Sequence, residues 1–433
     1  MNNRPNIILF ITHDQGQYLG CYDSPQTPNS LNTPNIDKIA KNGIKFTNYF
    51  CTAPQCSPSR SSILTSLYPH QNGLMGLVDR GWTLPPTNKT LPMYLKECGY
   101  STHLIGLQHE SRDPTTLGYD TISIRGREYK YSCKNMEKLY NRFLSEHKTD
   151  QTPFYACFGV WEAHRPFKGW GDPVDPNIVK IPRYLPDHQI IRGDLAHYYS
   201  AIQVVDKTIG VIWDILEDTG LKDNTLFIYT TDHGEPYPRA KCTLYDPGIK
   251  TSLLLSWPNS DIFSGGKVSN QMISNVDLLP TLIELAGGEN PKKIIGKSFV
   301  HNLTDSNSQF REEIYTEKSF HEIYDPIRSI RTSEYKYIIN FEKTDTLYQI
   351  DQFLAREPLG EYMKQFINNA RSEEELYSLK KDPTELNNLA YDPSYKDVKT
   401  ELKNKLFNWM KKTGDPILKG KIKDLRGEPV THY

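Results

Sequence analysis

The 433-residue sequence lacks an excess of charge of either sign. Lysine and arginine total 51, aspartate and glutamate total 52, and the formal net charge is -1. No acidic or basic tract stands out along the chain, so the bulk charge that drives binding to nucleic acid or to a membrane surface is missing. We therefore expect no nucleic-acid partner and no membrane partner.

Long apolar runs are lacking as well. The apolar run nearest the N-terminus, residues 7–11, is shorter than the hydrophobic region of a signal peptide, and only Arg4 supplies a positive charge before it. No stretch approaches the roughly 18 apolar residues that a membrane span requires. We therefore expect a soluble, cytoplasmic protein.

Cysteine is scarce, with seven residues at scattered positions. An odd number without a repeated spacing suits reduced thiols better than a disulfide framework, and the paired Cys-x-x-Cys of a zinc site does not occur. Two of the thiols, Cys51 and Cys56, lie five positions apart in the segment CTAPQCSPSR. We interpret them as separate residues, since neither a metal clip nor a redox pair is supported.

What the sequence does contain is an alternation of apolar strands and amphipathic helices. Residues 6–12 (NIILFIT) form a continuous apolar run, which is typical of a strand buried on both faces of a parallel sheet. A helix is predicted over 34–42, with Thr33 as N-cap and Gly43 as its C-terminal stop. The further predicted elements are helices at 91–98 and 194–217 and strands at 103–107, 154–160 and 226–231.

This alternation predicts an α/β fold, with a large, mostly parallel sheet sandwiched by helices. The pattern changes after about residue 310. Residues 328–341 resemble a hairpin, 375–379 a short strand, and 395–411 a terminal amphipathic helix. We therefore predict two domains: a catalytic α/β domain over 1–310 and a smaller C-terminal α+β domain over 311–433, with an antiparallel sheet and a terminal helix.

Polar side chains follow three of the predicted strands. His13 and Asp14 follow the first, residues 108–110 (QHE) follow another, and Asp232 and His233 follow a third. In open α/β sheets, ligands bind beyond the carboxyl ends of the strands. Carboxylates and imidazoles from two such ends can hold a divalent cation, although an Asp-His pair is more often a cap and a surface residue.

Cys56 lies at or just before a predicted helix. Pro58 is favoured in a first helical turn, and Arg60 lies about one turn further on. The free N–H groups and the dipole of a helix N-terminus favour an anion, so we expect them to lower the pKa of the thiol. The alternative is a buried cysteine before an ordinary helix, since free cysteines are among the most buried residues.

The segment CSPSRSSILTS at 56–66 carries the strongest signal. It matches C-x-P-S-R-x-x-x-L-T-G, the signature of the formylglycine-dependent sulfatases of the alkaline phosphatase superfamily, with Ser66 in place of the final glycine. TTDHG at 230–234, VDLLPTL at 276–282 and ELYSLKKDPTELNNLA at 375–390 follow in the order of the family. FHEIYDPIRS at 320–329 is similar to the heparan sulfamidase (N-sulfoglucosamine sulfohydrolase) branch. The chain thus resembles that family over nearly its whole length, and the family implies an alkaline-phosphatase-like fold.

The resemblance implies a nucleophile that is made after translation. In the family, a maturation enzyme oxidises the motif cysteine to formylglycine (3-oxoalanine), and the hydrated aldehyde attacks sulfur with the help of a calcium ion. The implied cofactors are therefore Ca²⁺, with Mg²⁺ or Mn²⁺ as alternatives, and 3-oxoalanine derived from Cys56. The implied partners are the formylglycine-generating enzyme and a small sulfated saccharide.

The resemblance also implies roles for individual positions. Cys56 is the precursor of the nucleophile, Arg60 orients it, and Lys241 holds a sulfate oxygen. His109 assists the hydrated aldehyde, and His164 is the general acid for the leaving group. The implied metal ligands are Asp14, Cys56, Asp232, His233 and His13. The substrate-binding candidates are His321, Glu322, Arg328 and Arg165, with Glu110, Arg112 and Asp113 as further loop positions.

Two departures from the family pattern keep other reactions open. His13 and Asp14 stand where the family has two aspartates, and Leu107 replaces a lysine that contacts sulfate. The leading prediction is hydrolysis of a sulfate ester or sulfamate of a small, N-sulfoglucosamine-like sugar. Because Asp14 and Gln15 also fit relatives that act on phosphonates, a phosphonate monoester or phosphodiester hydrolase is an alternative. A degenerate member that only binds sulfated ligands is another.

Overall fold

The computed structural model describes residues 4–23, 31–123, 131–167, 169–304, 309–342, 357–367 and 371–426. The strands are β1 (Asn6–Thr12), β2 (Ile44–Phe50), β3 (Ser101–Gly106), β4 (Thr121–Ile122), β5 (Phe154–Gly159), β6 (Thr225–Thr231), β7 (Lys250–Ser256), β8 (Lys267–Ser269), β9 (Ile273–Ser274), β10 (Glu313–Phe320), β11 (Tyr324–Thr332), β12 (Tyr335–Asn340) and β13 (Glu374–Ser378). The helices are α1 (Pro34–Asn42), α2 (Cys56–Thr65), α3 (Pro69–Asn72), α4 (Leu91–Glu97), α5 (Cys133–Glu146), α6 (Gln189–Asp218), α7 (Asp246–Ile249), α8 (Leu278–Leu285), α9 (Val300–Thr304), α10 (Pro358–Ile367) and α11 (Lys396–Thr413).

A large mixed sheet forms the centre of the molecule. Its strand order is β4-β3-β5-β1-β6-β7-β2-β8, with β9 paired to β2. Most neighbours are parallel, and only β7 runs antiparallel to both β6 and β2. The strands β1, β5 and β6 lie side by side, so their carboxyl ends meet at one edge of the sheet.

Strand β1 contributes side chains to both faces of this sheet. Ile8 and Phe10 pack into a core with residues of α1, α5 and α6, whereas Leu9 and Ile11 pack into a second core with residues of α2, α4 and α8. A strand covered on both faces must be apolar at every position, which explains its continuous apolar run. The structure therefore confirms the predicted α/β fold with helices on both faces.

A separate antiparallel sheet follows in the C-terminal part of the chain, in the order β10-β11-β12-β13. Strands β11 and β12 form the predicted hairpin, β13 is the predicted short strand, and α11 is the predicted terminal helix. Leu406 and Trp409 of α11 pack against Ile330 and Tyr337 of this sheet. The small α+β unit is thereby confirmed, while the boundary between residues 310 and 311 stays a prediction.

A buried ion-pair network connects the small sheet to the segment that precedes β7 of the large sheet. The Asp246 carboxylate, at the start of α7, accepts hydrogen bonds from Arg331 Nε and Nη2 at 3.0 and 2.9 Å and from Lys336 Nζ at 2.6 Å. These cations hold the pKa of Asp246 well below its usual range despite its burial. Because Lys241 lies five residues before Asp246, the network fixes the loop that carries this lysine.

None of the helices within the described ranges is long and apolar enough to cross a membrane.

Candidate active site

The ends of β1 and β6 bring two carboxylates together. Thr12 of β1 and Thr231 of β6 are register partners, so Asp14 and Asp232 emerge side by side. The backbone N–H groups of Asp14 and His233 both donate to Asp232 Oδ1, at 3.0 and 2.9 Å. These two hydrogen bonds fix the orientation of the Asp232 carboxylate at the strand ends.

Cys56 is the first residue of α2 and lies against these strand ends. Its Sγ is 3.3 Å from His233 Nε2 and 3.8 Å from Asp14 Oδ1. Our expectation that the helix N-terminus would lower the pKa of the thiol was wrong. Burial dominates and raises the pKa well above its ordinary value, and the positive charge of Lys241 only partly offsets it. A thiol kept protonated is a poor nucleophile, which suits a precursor better than a reacting group.

Two buried cations balance the two carboxylates. Arg60, one turn after Cys56, donates from Nε to Asp232 Oδ2 and from Nη2 to the Thr12 carbonyl, both at 3.1 Å. Lys241 Nζ donates to Asp14 Oδ2 at 2.7 Å. Burial alone would raise the pKa of each carboxyl, but the neighbouring positive groups, with Lys241 the strongest for Asp14, hold both below their usual range.

Histidine side chains surround this cluster. The His164 Nδ1–H donates to the Arg165 carbonyl at 2.6 Å, which leaves Nε2 facing Lys241 Nζ at 3.4 Å. In the same way, His233 Nδ1 donates to the Gly234 carbonyl at 2.9 Å, and its Nε2 faces Cys56. His109 packs edge-on against His13, with ring centroids 4.9 Å apart, and burial holds its pKa well below the ordinary value.

His13 supplies the observation that bears on a metal. Its side chain is fully buried, and neither ring nitrogen makes a well-aligned hydrogen bond within the described residues; Nδ1 lies 3.1 Å from Asp232 Oδ2, as an ion-pair contact. A buried ring nitrogen without a well-aligned hydrogen bond is costly unless a further group satisfies it. Two groups of four residues have their donor atoms within 4.8 Å of one another inside each group. Asp14 and Cys56 belong to both groups. One group adds His13 and His164, and the other adds Asp232 and His233. Carboxylate oxygens and imidazole nitrogens so placed fit a divalent cation.

The substrate-binding candidates separate into two groups. His321 and Glu322 lie in the turn between β10 and β11, where His321 is buried and Glu322 pairs with Arg80. The guanidinium groups of Arg165 and Arg328 are fully buried and held by carboxylates on other elements. Arg165 pairs with Asp194 and Glu357, and Arg328 pairs with Asp415. These ion pairs give both arginines a structural role, while their role as substrate contacts stays a prediction. On the loop after β3, Glu110 is buried, and Arg112 and Asp113 are exposed.

The structure also shows two residues near Cys56 that sequence reasoning missed, Asp79 and Arg80, whose turn is bonded from the Val78 N–H to Ser57 Oγ at 3.1 Å. They form a single helical turn that ends at Gly81. Gly81 indicates a turn in the sequence. An adjacent aspartate and arginine in a short turn do not indicate which residues will surround them in the fold.

Comparisons with known proteins give the family of the chain. The family model described as Sulfatase matches residues 5–288, and the one described as N-sulphoglucosamine sulphohydrolase, C-terminal, matches residues 236–358. An ulvan-active sulfatase of Formosa agariphila is 31% identical, over 98% of this chain and 83% of its own length. Human N-sulphoglucosamine sulphohydrolase is 28% identical, over 95% of this chain and 91% of its own length.

Among solved structures, a protein in complex with its substrate D-glucosamine-2-N,6-O-disulfate superimposes with a TM-score of 0.72 at 22% identity. The alignment covers 97% of this chain and 100% of that one, and the likeness shows a shared fold. Because the sulfatase model spans well over half of the sequence, the chain belongs to the sulfatase family. It is an enzyme of the class that hydrolyses sulfate esters or sulfamates.

Proposed function

We propose that this enzyme removes sulfate from a small sulfated sugar, by hydrolysis of a sulfate ester or sulfamate on an N-sulfoglucosamine-like residue. The proposal takes a formylglycine made from Cys56 as the nucleophile and a divalent cation as the cofactor. The observation that carries it is the meeting of Cys56 with Asp14, Asp232, His233 and Lys241 in one buried cluster.

The charges of the cluster suit a sulfate group. Asp14 and Asp232 are balanced by Arg60 and Lys241, so the addition of a divalent cation leaves a positive site. A positive site with few solvent contacts attracts the sulfate anion and stabilises the charge that develops on its oxygens. Lys241 Nζ, 2.7 Å from Asp14, is the group that we assign to a sulfate oxygen.

The metal donors are Asp14, Asp232, His233 and His13 together with position 56. When bound, the cation would supply Lewis-acid activation of the nucleophile. His13 and His233 bring nitrogen donors, which Ca²⁺ uses little, so this donor set is less favourable for Ca²⁺ relative to a first-row ion such as Mn²⁺ than an all-oxygen site would be.

The chain's own residues also provide for the leaving group. We assign to the imidazolium form of His164 the proton that the departing alcohol or amine needs when the bond to sulfur breaks. The proton is donated from Nε2, which lies 3.7 Å from Asp14 Oδ2, and the ring becomes a neutral imidazole. Overall, water adds to sulfur, the sugar leaves with this proton, and sulfate is released. Support for a glucosamine substrate comes from the C-terminal family match over residues 236–358 and from the human relative.

The test is turnover by the matured, metal-loaded protein. An aryl sulfate and an aryl phosphonate monoester are compared first, and glucosamine N-sulfate is then compared with glucosamine 6-O-sulfate. We expect faster turnover of the sulfate ester and measurable sulfate release from at least one of the sugars. Faster turnover of the phosphonate would instead support the phosphonate hydrolase alternative, and ligand binding without any turnover would support the degenerate member.

A matched pair of cysteine variants makes this test specific. Cys56→Ala is expected to abolish turnover, since no aldehyde forms at that position. Cys51→Ala removes a buried thiol only five residues away, whose Sγ contacts the Gly248 carbonyl at 3.8 Å, and is expected to retain turnover. Equal activity of the two variants would contradict the role of Cys56.

A further inference from the structure

A group of three charged, partly exposed side chains lies beside the site: Asp79, Arg80 and Glu322. We name this group the clasp. Arg80 donates to both Glu322 carboxylate oxygens, from Nε at 3.0 Å and from Nη2 at 2.7 Å, and its Nη1 lies 3.4 Å from Asp79 Oδ2. The three side chains are 31%, 24% and 28% exposed, whereas the neighbouring Val78 and His321 are buried. The clasp is therefore a group of charged side chains that are partly exposed to solvent and are bordered by buried residues.

The clasp is anchored on both chain neighbours of Cys56. The Val78 N–H donates to Ser57 Oγ at 3.1 Å, which ties the Asp79–Arg80 turn to one side. Gln55 Nε2 donates to the Phe320 carbonyl at 2.9 Å, which ties the β10–β11 turn carrying Glu322 to the other side. These bonds hold the clasp at a fixed position relative to the nucleophile.

The clasp lies beside position 56, because both of its turns are bonded to the chain neighbours of Cys56. Its side chains are also partly exposed, so a sugar that enters from solvent can contact them. The sugar attached to a sulfate at position 56 would therefore meet the clasp.

The charges of the site are thus divided between two sides. Lys241, Arg60 and the cation make the sulfate side positive, whereas two carboxylates and one guanidinium give the clasp a net charge of minus one. The Arg80 cation is engaged by two carboxylates and is more than neutralised by them. A second anionic group would therefore meet a net repulsion at the clasp, while hydroxyl and ammonium groups would find carboxylate acceptors.

We infer that the clasp sets substrate specificity, by admitting a sugar that presents hydroxyl or ammonium groups to it and disfavouring one with a second sulfate or a carboxylate there. Asp79 is the group that meets the sugar, and Arg80 and Glu322 are positioning residues. The inference rests on the proposed function, because it concerns the leaving sugar at the same site.

The test compares two ligands that share the N-sulfate of the proposed substrate and differ by one further sulfate, glucosamine 2-N-sulfate and glucosamine 2-N,6-O-disulfate. Their dissociation constants are measured by calorimetry on the full-length Cys56→Ala protein with Mn²⁺, so that turnover does not interfere. We expect tighter binding of the monosulfated sugar. Asp79→Asn keeps the shape of the side chain and removes its charge, so it should shift the ratio of the two constants toward the disulfated sugar by roughly tenfold.

Two further variants control the comparison. Glu322→Gln removes the other carboxylate charge and should shift the ratio in the same direction, which provides a second measurement if Asp79→Asn fails to fold. Glu97→Gln makes the same charge change at an exposed ion pair with Lys89 and should leave the ratio unchanged. An unchanged ratio in both clasp variants, or tighter binding of the disulfated sugar by the parent protein, would overturn the inference.

The result of this binding test can be distinguished from the result of the test of the proposed function. A shifted binding ratio without sulfate release by the matured protein would count against the reaction alone. Turnover of an aryl sulfate, which carries no second anionic group, together with an unshifted ratio would count against the clasp alone.

Discussion

Replacement of Lys241 by methionine tests how the buried charges of the site depend on one another. Lys241 Nζ lies 2.7 Å from Asp14 Oδ2, and both side chains are almost fully buried. Methionine keeps most of the side-chain volume and removes the cation, so the Asp14 carboxylate loses its main positive partner. The remaining cation, Arg60, is engaged with Asp232 on the other side of the cluster.

The magnitude follows from the cost of an uncompensated buried charge. Removal of one partner of a buried ion pair costs about 3–5 kcal/mol, because the remaining charge stays out of water. In the presence of a chelator at neutral pH, we therefore expect Lys241→Met to unfold with a free energy lower by about 3–5 kcal/mol. A bound divalent cation would supply the missing positive charge to Asp14, so saturating Mn²⁺ should close most of this gap.

Denaturant unfolding with and without Mn²⁺ measures both effects, with Lys241→Arg as the control that keeps the charge. The arginine variant should remain close to the parent protein in chelator. The reasoning would be refuted if Lys241→Met were as stable as the parent in chelator, or if Mn²⁺ stabilised the two proteins equally. Activity provides an independent comparison, since both variants alter the group that we assign to a sulfate oxygen.

Two other predictions concern single buried groups. The Glu162 carboxylate accepts from the Cys133 N–H at the start of α5, and burial raises its pKa from 4.5 to about 7. The folded protein thus holds this proton more tightly than the unfolded chain, and stability falls as the pH rises from about 4.5 to about 7. Unfolding free energies measured at pH 5 and pH 8 should show that Glu162→Gln removes about 2.5 kcal/mol of that fall. His13→Asp replaces a nitrogen donor by a carboxylate and should shift metal preference from Mn²⁺ toward Ca²⁺ by about tenfold, measured by calorimetric titration.

For each of these two predictions, one result would contradict it. If Glu162→Gln and the parent protein lost stability equally between pH 5 and pH 8, the carboxyl would not carry the raised pKa. If His13→Asp left the ratio of the two metal affinities unchanged, as the exposed-site control His301→Asp should, then His13 would not be a metal ligand.

The central strands could be predicted from the sequence because burial on both faces leaves a direct trace. β1, β5 and β6 are continuous apolar runs, and the ends of β1 and β6 carry polar residues that meet in the structure. β2 was not predicted, since polar Lys45, Thr47 and Asn48 interrupt its apolar pattern, and its register shifts between Phe46 and Tyr49. A bulge of this kind breaks the period of two on which a strand prediction depends.

In the candidate site, too, features set by local sequence could be predicted, and features set by residues distant in the sequence could not. The signature around Cys56 and the strand ends predicted which residues would meet, because the family pattern and the parallel topology both place them there. The direction of the Cys56 pKa could not be predicted, since burial by distant segments outweighs the helix N-terminus. The surroundings of Arg328 could not be predicted for a similar reason. Its partner Asp415 lies 87 positions away, and no local pattern distinguishes a buried ion pair from a substrate contact.

The fraction of chains with an aldehyde at position 56, compared with the rate of sulfate release, tests the central claim most directly. Preparations with different extents of maturation are analysed by mass spectrometry of the Cys56 peptide and assayed on one sulfate ester with saturating cation. We predict a rate proportional to the aldehyde fraction, with no release from chains that keep the thiol. A rate that did not depend on the aldehyde fraction would contradict the account.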